Sequence, residues 1–320
     1  MCTIIPPKAG SPGRPDYPLR SIRMIRPVPN IMHERRPMTD PIVLDGKAYA
    51  AEINEDLKKR VSRIMNKTGQ MPVLATILVG DDPASVTYVK MKGNACRRAG
   101  LESKKVVLPE SSTTEEVINQ ITLLNGDGNI HGILLQHPVP GHIDERRCFN
   151  AIVPEKDVDG VTYQSFARTA MEDMLFGCAT PLGILRLLDK YGIDPEGKDA
   201  VVVGRSPILG KPMAMMLLNR NATVTICHSK TRSLDQKLLS ADIVVAAVGI
   251  PRFIRPEWVR EGVVMVDAGY NPGNVGDSDI DGIREKAYAY TPVPGGVGPM
   301  TIITLIEQAV SSAEVKYGIK

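Results

Sequence analysis

Residues 198–212 read KDAVVVGRSPILGKP, and this stretch decides the fold class. The apolar run at 200–203 predicts a buried strand, Gly204 a tight turn, and the segment after Gly210 a helix. Gly210 leaves room for the N-terminus of that helix to approach a pyrophosphate group. The glycines lie six residues apart, unlike the standard G-x-G-x-x-G pattern. A purely structural strand-to-helix turn therefore remains an alternative interpretation.

The segments before this stretch also alternate between helix and strand patterns. Apolar residues at helical spacing predict a first helix from about residue 46, and Asp82-Pro83 marks the start of a second. Thr113 or Thr114 is expected to open a third helix. Short apolar runs predict strands at residues 73–79, 105–108 and 130–135. Alternating strands and helices indicate a parallel sheet.

A second alternation follows Gly177. Thr180-Pro181 is expected to cap a helix, strands are predicted near 224–227, 243–248 and 263–266, and a final helix is predicted at 301–315. We therefore predict an α/β protein of two domains with a ligand-binding cleft between them. The N-terminal substrate domain is expected at 38–160, completed by a C-terminal helix at 298–320, and a Rossmann-type parallel-sheet dinucleotide domain is expected at 161–297.

The first 37 residues differ in composition from the rest of the chain. They are rich in proline and arginine and poor in acidic residues, which predicts a flexible tail at 1–37. Low acidity also fits an organellar transit peptide, but the prolines interrupt the amphipathic helix that such peptides need. The other interpretation is an upstream extension, with translation starting near Met32 or Met38.

Composition excludes several classes of protein. The 320 residues contain no apolar run long enough to span a bilayer, so no membrane partner is expected. The net charge of +3 is far below that of a typical nucleic-acid-binding protein. The five cysteines form no C-x-x-C pair, which favours neither a metal site nor a disulfide framework. Reduced thiols and a cytoplasmic location are therefore expected.

Two segments of the second domain indicate which dinucleotide it binds. Cys227-His228-Ser229-Lys230 ends the second strand of this domain without an Asp or Glu that could hold two ribose hydroxyl groups. Arg205 follows the first strand, and a guanidinium group fits a 2′-phosphate better than a free hydroxyl. The sequence therefore predicts NADP rather than NAD, with a solvated turn residue as the alternative role for Arg205.

The second predicted helix carries the candidate catalytic side chains. Ser85, Tyr88 and Lys92 follow one another at intervals of three and four residues, so they share one face. A lysine in a cleft can have its pKa lowered by desolvation, and an aromatic ring can stack on a flat ligand. The spacing alone favours an exposed tyrosine–lysine pair. However, Gln136 at a strand end and Asp159 at the domain junction add polar groups where α/β sites assemble.

Together these segments resemble the bifunctional methylenetetrahydrofolate dehydrogenase/cyclohydrolase family, from about Leu44 to the C-terminus. The matching segments occur in order and are Y-x-x-x-K (88–92), G-x-x-x-Q-x-P (132–138), P-x-K-D-V-D-G (154–160), T-P-x-G (180–183), V-V-V-G-R-S (201–206), C-H-S-K-T (227–231) and T-P-V-P-G-G-V-G-P-M-T (291–301). An ordered set of this size does not arise by chance.

The resemblance implies a role for each side chain of the predicted site. Lys92 is expected to be the catalytic lysine, and Gln136 to contact it and tune its protonation state. Tyr88 is expected to stack on the folate, and Asp159 to bind the polar edge of the pterin. The wider substrate site is expected to include Ser85, Gly296 and Pro299.

The same resemblance implies a cofactor site built around the glycine turn. Arg205 and Ser229 are expected to hold the 2′-phosphate of NADP. The other expected cofactor-binding residues are Thr180, Pro181, Gly204, Ser206, Gly210, His228 and Gly249.

The implied activity has two steps. The first is oxidation of 5,10-methylenetetrahydrofolate with NADP, and the second is hydrolysis of the methenyl product to 10-formyltetrahydrofolate, within one-carbon metabolism. The family also implies a homodimer paired through the cofactor domain, and a folate substrate whose polyglutamylation the sequence leaves open. A dehydrogenase without the hydrolytic step, a shikimate-type dehydrogenase and a catalytically silent NADP-binding protein are the alternatives. The set Tyr88, Lys92, Gln136 and Asp159 favours the bifunctional enzyme over all three.

This sequence departs from the family's pattern at four places. His137 stands where leucine is usual, and a spectator role is expected for it. Gly177-Cys178-Ala179-Thr180-Pro181 replaces the commoner P-C-T-P and moves the thiol, and Gly93-Asn94 replaces a more basic pair. The loop at 267–277 is short and carries Tyr270 in place of an aliphatic residue. Because this loop lies near the nicotinamide in the family, we expect cofactor affinity to differ most.

Overall fold

A computed structural model describes residues 40–319, and the predicted tail at 1–37 lies outside them. Within these residues the strands form two parallel sheets. The six-stranded sheet has the order β1-β9-β8-β7-β5-β6, and the three-stranded sheet has the order β3-β2-β4. The strands are β1 (Ile42–Val43), β2 (Val73–Val79), β3 (Glu102–Leu108), β4 (Gly132–Leu135), β5 (Asp199–Val203), β6 (Thr223–Cys227), β7 (Ile243–Ala246), β8 (Val264–Asp267) and β9 (Ala289–Tyr290).

Helices connect the strands, as the alternation of patterns predicts. The helices are α1 (Gly46–Thr68), α2 (Pro83–Ala99), α3 (Thr114–Gly126), α4 (Glu145–Asn150), α5 (Tyr163–Ala170), α6 (Ala179–Lys190), α7 (Gly210–Leu218), α8 (Leu234–Leu239), α9 (Ile280–Ile283) and α10 (Val297–Lys316). Asp82 caps α2, and Thr113 caps α3 in a reciprocal capping box with Glu116, so both predicted starts are confirmed. No helix of the described chain is long and apolar enough to cross a bilayer.

Several element boundaries differ from the prediction. Strand β4 begins at Gly132 rather than at residue 130, and β7 ends at Ala246 rather than at residue 248. Strand β3 begins at Glu102 rather than at residue 105. The prediction missed its first residues because they are polar, which an edge strand tolerates. Thr180-Pro181 does not cap α6: Cys178 holds that position, and the Thr180 hydroxyl accepts a hydrogen bond from Thr301. Helix α10 begins at Val297 rather than at residue 301, since Pro299 is tolerated in a first turn, where backbone N–H groups have no partner.

The last helix joins the two sheets. Helix α10 packs against α6 and α1, and it also contacts α2, β2 and β4. Buried residues of α1, α6 and α10 share one hydrophobic cluster with residues of both sheets, for example Leu74 and Val202. Ile42–Val43, which the sequence assigns to the substrate domain, pairs with β9 in the six-stranded sheet. The domain boundaries themselves remain predictions.

Strand order determines where ligands can bind. In the six-stranded sheet, β6 lies on one side of β5 and β7 lies on the other, and in the smaller sheet β3 and β4 flank β2 in the same way. Ligands of open parallel sheets bind beyond the carboxyl ends of the strands where the strand order reverses. Gly204 follows β5 at one such point, and Gln136 follows β4 beside the other.

Candidate active site

Lys92 and Gln136 meet at the end of the smaller sheet. The Lys92 Nζ donates a hydrogen bond to the Gln136 Oε1 at 3.0 Å, and the Gln136 Nε2 donates to the backbone carbonyl of His137 at 2.6 Å. Gln136 is buried, and because its Nε2 is bound to the His137 carbonyl, the amide presents its oxygen, an acceptor, to the lysine. We call Tyr88, Lys92, Gln136 and Asp159 the lysine cluster.

The charges of the lysine cluster are perturbed by burial. The Lys92 side chain is partly exposed as a whole, but its charged end is enclosed by protein. Burial lowers the pKa of Lys92, and the nearby Asp159 carboxylate opposes that shift. Burial raises the pKa of Asp159, and Lys92 opposes that shift in turn. At a given pH, the neutral form of the Lys92 amine is therefore more populated than that of a surface lysine, which suits proton transfer.

The segment before Asp159 is held by hydrogen bonds of two of its own charged side chains. The Lys156 Nζ donates hydrogen bonds to the carbonyl oxygens of Leu124, Asn125 and Asp127 at the end of α3, at 2.9, 2.7 and 2.8 Å. The fully buried Asp157 carboxylate accepts bonds from two backbone N–H groups and from the Ser165 hydroxyl. Lys156 and Asp157 of the P-x-K-D-V-D-G segment are thus structural, whereas the Asp159 carboxylate interacts electrostatically with Lys92.

Helix α10 holds the same segment from the other side. The Gln308 Nε2 donates to the carbonyl oxygens of Val158 at 2.7 Å and Gly177 at 2.9 Å, and its Oε1 accepts from the Gly177 N–H at 2.9 Å. Gly160 has a φ of 66°, and a methyl group there would overlap the backbone of Gly177. Sequence reasoning missed Gln308, because a polar residue in an apolar helix gives no sign of a partner 150 residues away.

Tyr88 lies one helical turn before Lys92 and contacts the other half of the chain. Its ring meets the ring of Tyr270 edge-to-face, with 6.2 Å between centroids and 75° between planes. Burial raises the pKa of Tyr88, and Tyr270 adds to that shift. Ser85 is buried, and hydrogen bonds from its backbone and side chain lower the pKa of Asp82. Ser85 thus has a capping contact, and its predicted contact with substrate remains a prediction.

The glycine turn is shaped by backbone contacts. Gly204 has a φ of 135°, and a methyl group there would overlap the carbonyl oxygen of Ala247. A methyl group at Gly210 would overlap the carbonyl of Gly204. The Ser206 Oγ accepts from the N–H groups of Leu209 and Gly210 at 3.1 and 3.3 Å. Such a cradle, which side chains would fill, fits the close approach of a pyrophosphate.

The two residues predicted to bind the 2′-phosphate follow neighbouring strands at the same edge of the sheet. Arg205 follows β5 and Ser229 follows the neighbouring β6, and both side chains are exposed. The His228 N–H donates to the Thr231 Oγ1 at 2.8 Å, and the His228 Nδ1 accepts from the Lys230 N–H at 3.2 Å. These two bonds hold the turn that carries Ser229, whose side chain is exposed.

Two buried carboxylates shape the loops after β7 and β8. The Asp277 Oδ2 accepts from the N–H groups of Val248 and Gly249 at 2.6 and 2.8 Å. The Asp267 Oδ1 accepts from the N–H groups of Gly269 and Asp277, each at 2.9 Å. The predicted cofactor residue Gly249 therefore lies in a turn that Asp277 holds, which the sequence did not reveal.

The remaining predicted residues lie around the start of α10. Gly296 is buried against Thr291 and Pro292, and the Lys47 N–H donates to the Gly295 carbonyl at 2.8 Å. Pro299 is partly buried in the first turn of α10. Pro181 is buried in α6, and Thr180 contacts α10 through the bond from Thr301 described above. Whether these residues touch a ligand stays a prediction.

Comparison with known proteins identifies the family. Residues 44–159 match the catalytic domain of tetrahydrofolate dehydrogenase/cyclohydrolase, and residues 178–317 match its NAD(P)-binding domain. The chain belongs to the tetrahydrofolate dehydrogenase/cyclohydrolase family. It is 65% identical over 275 residues to the bifunctional protein FolD of Cellvibrio japonicus (strain Ueda107), an alignment that covers 86% of this chain and 98% of that protein.

Solved structures of family members share the fold. The bifunctional FolD methylenetetrahydrofolate dehydrogenase/cyclohydrolase of Campylobacter jejuni matches with a TM-score of 0.83 and 45% identity, covering 85% of this chain and 98% of that one. The Trypanosoma brucei enzyme, complexed with NADP cofactor and inhibitor, matches with a TM-score of 0.84 and 33% identity, covering 88% and 99%. The predicted two-domain α/β fold and the predicted bifunctional family are thereby confirmed. The chain is an enzyme with both domains of the family.

Proposed function

We propose that the chain oxidises 5,10-methylenetetrahydrofolate with NADP and hydrolyses the methenyl product to 10-formyltetrahydrofolate at the lysine cluster. The observation that carries this proposal is the hydrogen bond between Lys92 and Gln136, made by a lysine whose pKa burial lowers. A buried lysine with one neutral hydrogen-bond acceptor has no structural advantage over an apolar residue, so its presence supports a chemical role.

Each residue of the lysine cluster has a distinct task in this proposal. Tyr88 stacks on the folate, and Asp159 binds the polar edge of the pterin and orients it. NADP, when bound, accepts the hydride of the methylene bridge. A neutral Lys92 tolerates the methenyl cation that remains, whereas an ammonium would repel it. The amine then assists proton transfer as water adds and the ring opens, a step that releases one proton.

The glycine turn and its exposed arginine support NADP over NAD. The cradle at Gly204 and Gly210 fits the pyrophosphate, while Arg205 and Ser229 offer a guanidinium group and a hydroxyl to a 2′-phosphate. Because Arg205 is exposed, its guanidinium group is accessible to a phosphate.

We also propose a homodimer paired through the cofactor-binding part, in the cytoplasm. Strand β6 is the outer strand of the six-stranded sheet, and its Ile226 is exposed. Met171 after α5 is 79% exposed, and Leu218 at the end of α7 is also exposed. A strand edge that has no partner among residues 40–319, together with exposed apolar side chains on one part of the chain, supports pairing there. Light scattering of the purified protein tests this, and a monomer at micromolar concentration would contradict it.

One pair of assays tests the proposed activity. The purified chain is expected to reduce NADP when methylenetetrahydrofolate is supplied, and separately to remove the methenyl absorbance without any cofactor. Lys92→Met is expected to slow hydrolysis by about 10²- to 10⁴-fold, the usual contribution of a proton-transfer group. Lys90→Met is the matched control, since Lys90 is exposed on the same helix. Hydrolysis by Lys92→Met at the wild-type rate would contradict the role of the lysine.

A further inference from the structure

Tyr270 links the loop after β8 to the lysine cluster. Its ring meets Tyr88 at 6.2 Å between centroids, and the two tyrosines come from segments that belong to different halves of the family's enzyme. Tyr270 is nevertheless 59% exposed, so most of its ring is free for another contact. The ring thus stands beside the surface on which the folate is proposed to stack.

The loop holds Tyr270 in place. The Tyr270 hydroxyl donates to the Asn274 Oδ1 at 2.7 Å within the same loop. The Asn271 Nδ2 donates to the Val275 carbonyl at 3.2 Å and to the buried Asp277 carboxylate at 3.0 Å. The polar end of the tyrosine is therefore satisfied by its own loop, and only the apolar part of the ring is left for a partner.

The geometry determines how a flat ligand meets this ring. Aromatic groups in contact have centroids about 4.5–7 Å apart. Because the planes of the two tyrosines are inclined by 75°, a ligand ring stacked on Tyr88 cannot also stack face-to-face on Tyr270. With its plane inclined by 75°, Tyr270 instead meets the rim of such a ligand.

We propose that Tyr270 is a folate-binding residue contributed by the cofactor half, and that its ring fixes the position of the folate on Tyr88. This inference rests on the proposed function. It differs from a role beside the nicotinamide, because a folate contact affects hydrolysis, which needs no cofactor. A nicotinamide contact affects only the NADP-dependent step.

The test compares two substitutions of Tyr270. Tyr270→Leu removes the ring and is expected to raise the KM for methenyltetrahydrofolate in cofactor-free hydrolysis, and for methylenetetrahydrofolate in oxidation, by about three- to tenfold, the value of an aromatic contact. Tyr270→Phe keeps the ring and loses only the bond to Asn274, so its folate KM is expected to stay near the wild-type value. Tyr288→Leu, an exposed tyrosine elsewhere, is the matched control.

Two further measurements separate the possible results. Calorimetric titration with 5-formyltetrahydrofolate measures folate binding without turnover, and titration with NADP measures the cofactor alone. Loss of folate affinity with unchanged NADP affinity supports the inference. An unchanged folate affinity, a loss confined to NADP, or tighter folate binding by Tyr270→Leu would overturn it. A wild-type chain that binds the folate but catalyses neither reaction would contradict the proposed function. The folate affinities of the wild-type chain and the Tyr270 variants could still be compared by calorimetry in that case.

Discussion

The lysine cluster and the glycine turn are organised in opposite ways. In the lysine cluster, side chains hold one another: Lys92 binds Gln136, and Gln308 fixes the backbone before Asp159. At the glycine turn, backbone contacts set the shape, and Arg205 stays exposed. This difference is what the proposed function requires, since the first site would control a protonation state and the second would receive an anion.

The energetics explain why each arrangement suits its site. An exposed arginine costs little when unpaired, because water solvates it until a phosphate arrives. A lysine with an enclosed amine is costly in its charged form, so its environment decides how much of it is neutral. Substitutions at the glycine turn should therefore change affinity, and substitutions at the lysine cluster should change pH dependence.

The largest effect is expected from Gly204→Ala. The new methyl group would overlap the Ala247 carbonyl, and alanine does not adopt a φ of 135° without strain. The turn must then move away from the position that fits a pyrophosphate. We expect NADP binding to be lost in a calorimetric titration, while cofactor-free hydrolysis continues.

Gly192→Ala is the matched control for that substitution. Gly192 also has a positive φ, of 67°, but open space surrounds the position of its missing side chain. A larger fall in melting temperature for Gly204→Ala than for Gly192→Ala, with NADP binding lost only at position 204 while both variants remain folded, would support the cradle. Tight NADP binding by Gly204→Ala would contradict it.

The next effect is a shift in the pH dependence of hydrolysis. Because burial lowers the pKa of Lys92 and the neutral amine is the active form, the rate should rise with pH through that pKa and then level off. Gln136→Glu places a carboxylate beside the amine and raises its pKa by about 1–3 units. The rising limb, the pH range over which the rate increases, then moves to higher pH. The rate at neutral pH falls about tenfold for each unit by which the pKa of Lys92 is raised.

Gln136→Leu is expected to shift the pKa of Lys92 in the opposite direction. It removes an acceptor that favours the ammonium form, so the rising limb is expected to move to lower pH. Rate profiles of both variants between pH 5 and pH 10, on the order of one point per half unit, would measure the two shifts. Limbs that move in the same direction would show that the measured pKa belongs to another group.

A smaller effect is expected from Arg205→Ala. Loss of one charge-assisted hydrogen bond to a phosphate costs about 1.5–3 kcal/mol, so NADP affinity should fall roughly ten- to a hundredfold while NAD affinity changes little. The dissociation constants of both cofactors are the measurement, with Arg284→Ala as an exposed control. Equal losses for the two cofactors would remove the 2′-phosphate assignment.

Local sequence patterns predicted much of this molecule. Apolar runs located the strands, since a buried parallel strand needs apolar residues on both faces, and β2 spans residues 73–79 as predicted. Cap residues located the starts of α2 and α3. The edge strand β3 was predicted too short, because exposed polar residues at its start resemble those of a loop.

Contacts between distant segments could not be predicted in this way. The resemblance to a family brought Lys92 and Gln136 together, and the structure gives them a hydrogen bond. Nothing in the local sequence joins Gln308 to Val158 or Tyr270 to Tyr88, because periodicity describes one element at a time. The residues that position a site are therefore harder to find than the residues that form it.

The smallest effect is expected from His137→Leu, although His137 directly follows Gln136. Its side chain is 47% exposed, and its Nδ1 lies 3.7 Å from the Glu145 Oε1, so it forms only a loose surface pair worth about 0.2–1 kcal/mol. The contact that holds Gln136 uses the backbone carbonyl of residue 137, which leucine retains. We expect hydrolysis within about threefold of wild type and an unchanged pH profile. A shifted rising limb would instead place the imidazole among the groups that set the Lys92 pKa, through the Asp159 carboxylate, whose pKa a charged His137 lowers.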